Sequence, residues 1–361
     1  MPNTPTLEIS LPAICANYRL LKERHAAHNI AAVVKANAYG LGVEAVSTAL
    51  WDEGCKEFFV ATLEEAIELR RILPQAHIGV FNGLLAGEEK EYAQHRLTPV
   101  LNDVGQVSKW RIVSGEWPVI IHVDTGMTRL GLSESDLKAL LHSPLATGHS
   151  PLLMSHLACA NDPAHPKNAE QLARFKRALA LFPKAKASLC NSSGIFLSSE
   201  FHFDVARPGC ALYGINPTNG ANPMQPVAIL SAPILQIRHV EHNETVGYGA
   251  TYKVSKGSRI AVVALGYADG WLRSLGNKGF AYIAGYKVPI IGRISMDMLA
   301  LDITAIPSLT SPPQAGGKEG ENLRAEFINK EQTVDNVAAA CGTIGYEVFT
   351  RMGERVKRVY V

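Results

Sequence analysis

Lys35 stands where a short apolar run gives way to a glycine-punctuated turn, in Val33-Val34-Lys35-Ala36-Asn37-Ala38-Tyr39-Gly40-Leu41-Gly42. The preceding residues, Ile30-Ala31-Ala32-Val33-Val34, are continuous and partly β-branched, as suits a strand buried on both faces of a parallel sheet. A lysine emerging from such a strand into a partly desolvated pocket has its amine pKa pushed down, and a neutral amine forms a Schiff base with an aldehyde. A lone lysine in this position more often just starts a surface loop. Here its flanking residues point to an anchor, and the aldehyde it calls for is pyridoxal 5'-phosphate (PLP).

Arg207, in Ala206-Arg207-Pro208-Gly209, has a chemistry that would bear on such a cofactor wherever its guanidinium faced the ring. A guanidinium only donates hydrogen bonds and keeps its proton in a protein, so a pyridine nitrogen facing it must accept and stay unprotonated. A neutral ring is a weaker electron sink than a pyridinium, which suppresses transamination and favours return of a proton to Cα. A phosphate needs backbone N–H groups and hydroxyls, often after the seventh and eighth strands of a barrel. Asn191, Ser192, Gly209 and Cys210 lie in that region, and no dinucleotide or triphosphate spacing occurs.

Positioning these groups takes a regular frame. Strand-like runs recur at Ala31–Val34, Phe58–Ala61, Ile78–Phe81, Thr98–Leu101, Val119–Val123, Leu152–Ser155, Ala187–Leu189 and Gly209–Tyr213, with helix-like stretches such as Ala13–Arg24, Leu63–Ile72 and Asn168–Phe182. This alternation predicts an α/β fold whose N-terminal part is a (β/α)8 TIM barrel, with chemistry at the carboxyl ends of the strands. Lys35, Arg129, His156 and Asn191 fall at or just beyond such ends, while Arg207 precedes the last run. After about Pro226 the segments Ile229–Val240, Arg259–Leu265, Ala281–Ala284, Lys287–Ile291 and Met298–Ile303 predict a second, mainly β domain. The expected domains are residues 1–226, with residues 1–11 pairing with the C-terminal domain, and residues 227–361. Pro307 to Arg324 has almost no apolar anchors and reads as a mobile loop.

Composition narrows the function classes. The 361 residues are 47% hydrophobic with a net charge of +2, enough for a large core and without the basic stripe that nucleic-acid binding requires. Six scattered cysteines without CxxC spacing predict reduced thiols, no disulfide framework and no metal site. No secretory leader and no run of about 18 apolar residues is evident, so the expectation is a cytoplasmic protein without a membrane partner.

The Lys35 decapeptide closely resembles the cofactor-lysine signature of the alanine racemases, PLP enzymes built on a TIM barrel plus a β-domain. The resemblance continues through Val123-Asp124-Thr125-Gly126-Met127-Thr128-Arg129, Ser155-His156-Leu157-Ala158, Asn191-Ser192-Ser193-Gly194, Gly247-Tyr248-Gly249-Ala250-Thr251-Tyr252, Gly266-Tyr267-Ala268-Asp269-Gly270, Gly292-Arg293-Ile294-Ser295-Met296-Asp297 and Gly345-Tyr346-Glu347. It therefore spans nearly the whole chain in order.

What the resemblance implies is an isomerase that interconverts L- and D-alanine for peptidoglycan synthesis, with Lys35 serving one face of the substrate and Tyr248 the other. A tyrosine at its ordinary pKa of about 10 is a poor base and needs neighbours that stabilise its phenolate. The resemblance supplies a hydrogen-bonded series from Tyr248 through His156 to Arg207, which reaches the pyridine nitrogen. It also assigns Tyr39 and Tyr346 to the phosphate, Arg129 and the backbone of Met296 to the substrate carboxylate, and Tyr267, Asp297 and Arg273 to a narrow entrance. A homodimer whose subunits share active sites is implied as well. For a lone His156, Met296, Asp297 or Arg273, a packing or surface role would be the plainer account.

One departure stands out. Many members of the family carry a carbamylated lysine two residues before the Asp-Thr-Gly-Met segment, and here that position is His122. Imidazole forms no stable carbamate, so an anion or a neighbouring carboxylate is expected to orient Arg129. Two alternatives stay open on sequence: a racemase of another small amino acid such as serine, and a non-catalytic PLP carrier. The second has the β-domain and Tyr248 against it.

Overall fold

The computed structural model describes residues 4–25, 29–113, 119–140, 151–307 and 323–361. The expected loop between Pro307 and Arg324 lies mostly outside them. The chain divides into two compact units, one of Pro12–Gln225 and one of Met1–Leu11 with Pro226–Val361.

The first unit is a closed ring of parallel strands. Asn29–Ile30 runs on into Ala32–Val33, followed by Glu57–Val60, His77–Val80, Thr98–Leu101, Ile120–His122, Leu152–Met154 and Lys186–Ser188, each pairing with the next. The eighth member is Val205–Ala206, which pairs in parallel with Asn29–Ile30 and joins the seventh where the Arg207 N–H donates to Cys190 O at 2.9 Å. These strands are buried on nearly every residue, which is why their sequences are continuous apolar runs.

The expected eighth strand, Gly209–Tyr213, is a correction. Cys210–Tyr213 forms a 3-10 turn, stopped by Gly214 in the left-handed region. Arg207 consequently sits at the end of the true last strand.

Helices connect the strands. Leu63–Ile72 starts at Thr62, whose hydroxyl accepts the Glu65 N–H in a capping box. Pro166–Ala180 begins with proline at its first turn and buries Leu172, Phe175 and Ala178 along one face.

The second unit is mainly antiparallel. Its long strand Ala228–His239 pairs through its first half with Thr6–Ile9 and Arg324–Ile328, and through its second half with Arg259–Val263. The remaining members, Leu299–Asp302, Tyr286–Ile291 and Phe280–Ile283, complete a circuit back to Arg324–Ile328. Lys357–Tyr360 adds in parallel outside Thr6–Ile9. A separate hairpin, Glu244–Val246 with Tyr252–Val254, and two helices, Val334–Cys341 and Gly345–Thr350, finish the unit.

Candidate active site

Nine of the site residues singled out by sequence, Lys35, Tyr39, Arg129, His156, Asn191, Ser192, Arg207, Gly209 and Cys210, lie at the carboxyl end of the barrel. Lys35 begins the segment after the first strand, and its half-buried side chain places Nζ 5.8 Å from the centre of the Phe81 ring. Burial, reinforced by the Arg129 guanidinium, lowers its amine pKa, while Glu65 opposes that shift. The next four residues, Ala36, Asn37, Ala38 and Tyr39, all have positive φ, from 51° to 57°. A left-handed turn of ordinary residues costs roughly 1–2 kcal/mol per residue, so other contacts must hold it. Asn37 Oδ1 accepts the Val43 N–H at 2.6 Å. Glu65 Oε1 accepts the Ala36 N–H at 2.6 Å.

The turn seats Tyr39 against Tyr213, with ring centroids 4.8 Å apart, and brings its hydroxyl to Gly209. A Cβ on residue 209 would collide with that hydroxyl, so glycine is required by the close approach. Ser192 Oγ accepts the N–H groups of Gly209 and Ala211 at 2.9 and 3.2 Å, and the buried Cys210 lies between these two residues. The Tyr39 hydroxyl, the Ser192 hydroxyl and the backbone of Gly209 to Ala211 thus lie close together, the kind of groups a phosphate site is built from.

Arg207 is 3% exposed. One terminal nitrogen donates to Ser188 Oγ and the other to Ser155 O, whereas Nε is buried without a hydrogen-bond partner. Burial lowers its pKa to about 10, which leaves it cationic at neutral pH. An unpartnered, permanently charged donor calls for an acceptor, and the unprotonated nitrogen of a pyridine ring is one. The residues present therefore fit PLP at both of its ends.

His156 follows the sixth strand. Burial, then Arg207, Arg129, His122 and Lys35, push its pKa well down, so it is neutral. Its Nε2 lies 3.4 Å from Asn191 Nδ2, and Asn191 is itself fixed by Leu157 O and the Gly194 N–H. The terminal nitrogens of Arg207 donate to Ser188 and Ser155, and among the described residues no hydrogen bond joins it to His156; the expected direct bond is not formed, and Arg207 acts on His156 through its charge.

His122 carries the departure noted from sequence, and its surroundings explain how the site does without an acid there. The Asn102 amide donates to Phe81 O and Val100 O, both at 2.9 Å, which turns its Oδ1 towards His122 Nδ1, 2.7 Å away. His122 is thereby a neutral donor at Nδ1. Among the described residues no ion pair includes Arg129; the Asp124 carboxylate instead accepts the N–H groups of Gly126, Met127 and Thr128 at 2.8, 2.9 and 3.1 Å. It shapes the turn that presents Arg129.

The other singled-out residues belong to the second unit. Tyr248 lies on the loop of the Glu244–Val254 hairpin, 72% exposed, with the following Gly249 packed on the Arg293 guanidinium. Met296 is 53% and Tyr267 41% exposed. Tyr248, Met296 and Asp297 share one open groove of about 990 Å³. The Tyr267 turn is stitched to the Met296 loop where Tyr267 N–H meets Ser295 O and Ala268 N–H meets Met296 O, and a Cβ on Gly266 would strike the Met296 carbonyl. Asp297 pairs with Arg355 at 2.8 Å, and Arg355 also holds the buried Asp269 at 3.0 Å. Arg273 is exposed on a 3-10 turn, and Tyr346 is half-buried on helix Gly345–Thr350. Sequence reading missed Glu65, Asn102 and Arg355. Only Glu65 had a local signal, the Thr62-x-x-Glu65 capping pattern.

A barrel whose strand ends gather a depressed lysine amine, a phosphate cradle and a buried arginine defines a PLP-binding class. Comparison with known proteins narrows it. The model described as "Alanine racemase, N-terminal domain" matches residues 9–217, and that described as "Alanine racemase, C-terminal domain" matches residues 227–360. The chain belongs to the alanine racemase family. It is 44% identical to an alanine racemase of Rhodospirillum rubrum, over 99% of this chain and 96% of that one. A catabolic alanine racemase of Mesorhizobium japonicum is 43% identical over 98% of this chain and 93% of its own. The crystal structure of alanine racemase from Bartonella henselae, with covalently bound pyridoxal phosphate, matches at a TM-score of 0.91 and 39% identity, covering 100% of both chains.

His122 makes the barrel sensitive to acid. Burial, with Arg207 and Arg129, lowers its pKa from 6.5 to about 4. The unfolded chain therefore binds the extra proton first, and the stabilisation present above pH 6.5 is lost as pH falls towards 4. Replacing His122 with Asn should reduce the loss of stability between pH 7 and pH 5 by about 2 kcal/mol. Thermal unfolding at the two pH values measures this; an unchanged slope would show that His122 titrates normally.

Proposed function

We propose that this chain is a PLP-dependent alanine racemase that interconverts L- and D-alanine, with Lys35 and Tyr248 acting on opposite faces of the substrate. The observation that carries the reading is Arg207, a buried cation whose Nε hydrogen has no partner. Bound at the barrel end, PLP supplies the electron-withdrawing system that acidifies the substrate Cα–H.

Lys35 holds the cofactor and, once substrate displaces it, takes or returns a proton on one face, a task that its lowered basicity assists. Tyr248 presents a phenol hydroxyl from an exposed, glycine-flanked loop. Arg207 keeps the ring nitrogen unprotonated because it only donates, which biases the system towards reprotonation at Cα. His156, neutral and held by Asn191, offers an uncharged imidazole beside these groups. Tyr39, Ser192, Gly209, Cys210 and Tyr346 hold the phosphate. Arg129 and the Met296 backbone hold the substrate carboxylate, and Tyr267, Asp297 and Arg273 restrict the entrance to small amino acids.

The same reading includes a homodimer with shared sites. Tyr248, Tyr267, Met296 and Met298 are large apolar side chains left more than 40% exposed in the second unit, and covering such a patch favours association. Among the described residues no helix is long and apolar enough to cross a membrane. The reading further places the enzyme in the cytoplasm, supplying D-alanine for peptidoglycan.

Lys35→Ala should form no D-alanine from L-alanine and retain no cofactor on the chain after borohydride reduction. Tyr248→Phe should keep the cofactor while racemising at least about 100-fold more slowly; undiminished D-alanine by chiral chromatography would remove Tyr248 from the mechanism. Mixing the two variants, with dissociation and reassociation, should restore about one quarter of wild-type activity, because half the chains pair unlike partners and one of their two shared sites is intact. No recovery would place both groups in one chain. Arg207→Glu should promote ring protonation and raise pyruvate formed per racemisation event, and unchanged partitioning would refute the role given to Arg207.

A further inference from the structure

Glu65 lies on the helix after the second strand, yet its carboxylate faces away from its own helix more than towards it. Oε1 accepts the Ala36 N–H at 2.6 Å, and Oε2 accepts the Ala61 N–H at 2.7 Å. Its capping bond to the Thr62 N–H is longer, at 3.4 Å. Distances therefore rank the ties to the two strand-end loops above the helix cap.

We propose that Glu65 is a positioning residue for Lys35, its carboxylate fastening the left-handed turn that follows the lysine to the loop after the second strand. The inference rests on Lys35 being the cofactor anchor. Ala36 is the first residue of four with positive φ, and its amide is the one adjacent to the lysine. Releasing that amide frees the turn at its start. The turn would then relax towards the right-handed region that alanine and asparagine prefer, and Lys35 would swing with it. Tyr39, at the far end of the turn, would lose its place against Gly209 and Ser192.

The charge of Glu65 also reaches the amine. The charged groups that act on Lys35 are Arg129, which lowers its basicity together with burial, and Glu65, which raises it. His156, the other titratable group coupled to Lys35, is held neutral by burial and Arg207. Removing the carboxylate leaves the amine facing a cation and a neutral ring.

The test uses Glu65→Gln, Glu65→Asp and Thr62→Ala in the full chain. Wild-type protein is first reduced with borohydride, and the PLP-bearing peptide is identified by mass. A wild-type chain that traps no PLP on Lys35 overturns the anchor reading, and this inference with it. With trapping established, two quantities are measured: PLP affinity of the cofactor-stripped chain by fluorescence titration, and the pH midpoint of Lys35 acetylation by peptide mass. Glu65→Gln should weaken PLP binding about tenfold and lower the acetylation midpoint by about 1 pH unit.

Thr62→Ala removes only the cap and should move neither quantity while lowering the melting temperature. Glu65→Asp keeps the charge but shortens the reach, and should weaken PLP binding about tenfold with a wild-type midpoint. If Glu65→Gln behaves as Thr62→Ala does, Glu65 is a helix cap and the proposal fails. Should Glu65→Gln yield no folded protein, wild-type PLP affinity in Glu65→Asp overturns the proposal on its own.

Discussion

A guanidinium buried at the seam of the barrel sets the terms for everything around it. Arg207 closes the ring of strands through its backbone and spans to the sixth and seventh strands through its side chain, on Ser155 O and Ser188 Oγ. Burying a cation without a carboxylate is expensive unless its donors are satisfied, and among the described residues no ion pair includes it. Burial lowers the pKa of both His156 and His122, and the field of Arg207 adds to that shift. One residue thus joins the last strand to the seventh, keeps one buried donor without a protein partner and reinforces the neutral state of both histidines.

The second constraint is backbone strain beside the lysine. Four consecutive left-handed residues would together cost several kcal/mol in isolation, and the fold holds them with contacts made by side chains both outside and within the turn. Glu65 grips its start, Asn37 turns back on Val43, and Tyr39 packs on Tyr213. Strain of this kind persists where surrounding contacts over-determine it, and it clusters at functional sites. Here the result is a lysine and a tyrosine hydroxyl displayed from a single turn with little freedom between them.

Much of this frame was legible in sequence because buried parallel strands leave an unambiguous trace. Seven of the eight expected barrel strands fall within two residues of their place, and the lysine, histidine and asparagine stand at their ends. The eighth failed for a physical reason. Cys210-Ala211-Leu212-Tyr213 is as apolar as a strand, and hydrophobicity over four residues does not separate a strand from a buried turn. The true strand is two residues long, too short to leave a pattern. Helix Val334–Cys341 was missed despite its Thr333 cap, Asn336 and left-handed Gly342, because the β-rich trend around it outweighed local signals. Asn102 gave no sign at all. Its role exists only because Phe81 and Val100 orient its amide towards a histidine on a neighbouring strand.

Charge balance ties the departure at His122 to the rest of the site. The barrel end carries three basic groups, Lys35, Arg129 and Arg207, and its carboxylates are largely committed to backbone amides: Glu65 to Ala36 and Ala61, Asp124 to Gly126, Met127 and Thr128. A carboxylate whose lone pairs are taken by N–H groups compensates a distant cation less than one paired with it directly. A neutral imidazole at position 122 adds no negative charge. The site therefore rests with a positive bias, which suits a cofactor phosphate and a substrate carboxylate arriving together. A carbamylated lysine would orient Arg129 by charge; in this chain Asp124 closes the turn that presents Arg129 by accepting three backbone N–H groups, and leaves the arginine's own charge uncompensated by a direct ion pair among the described residues.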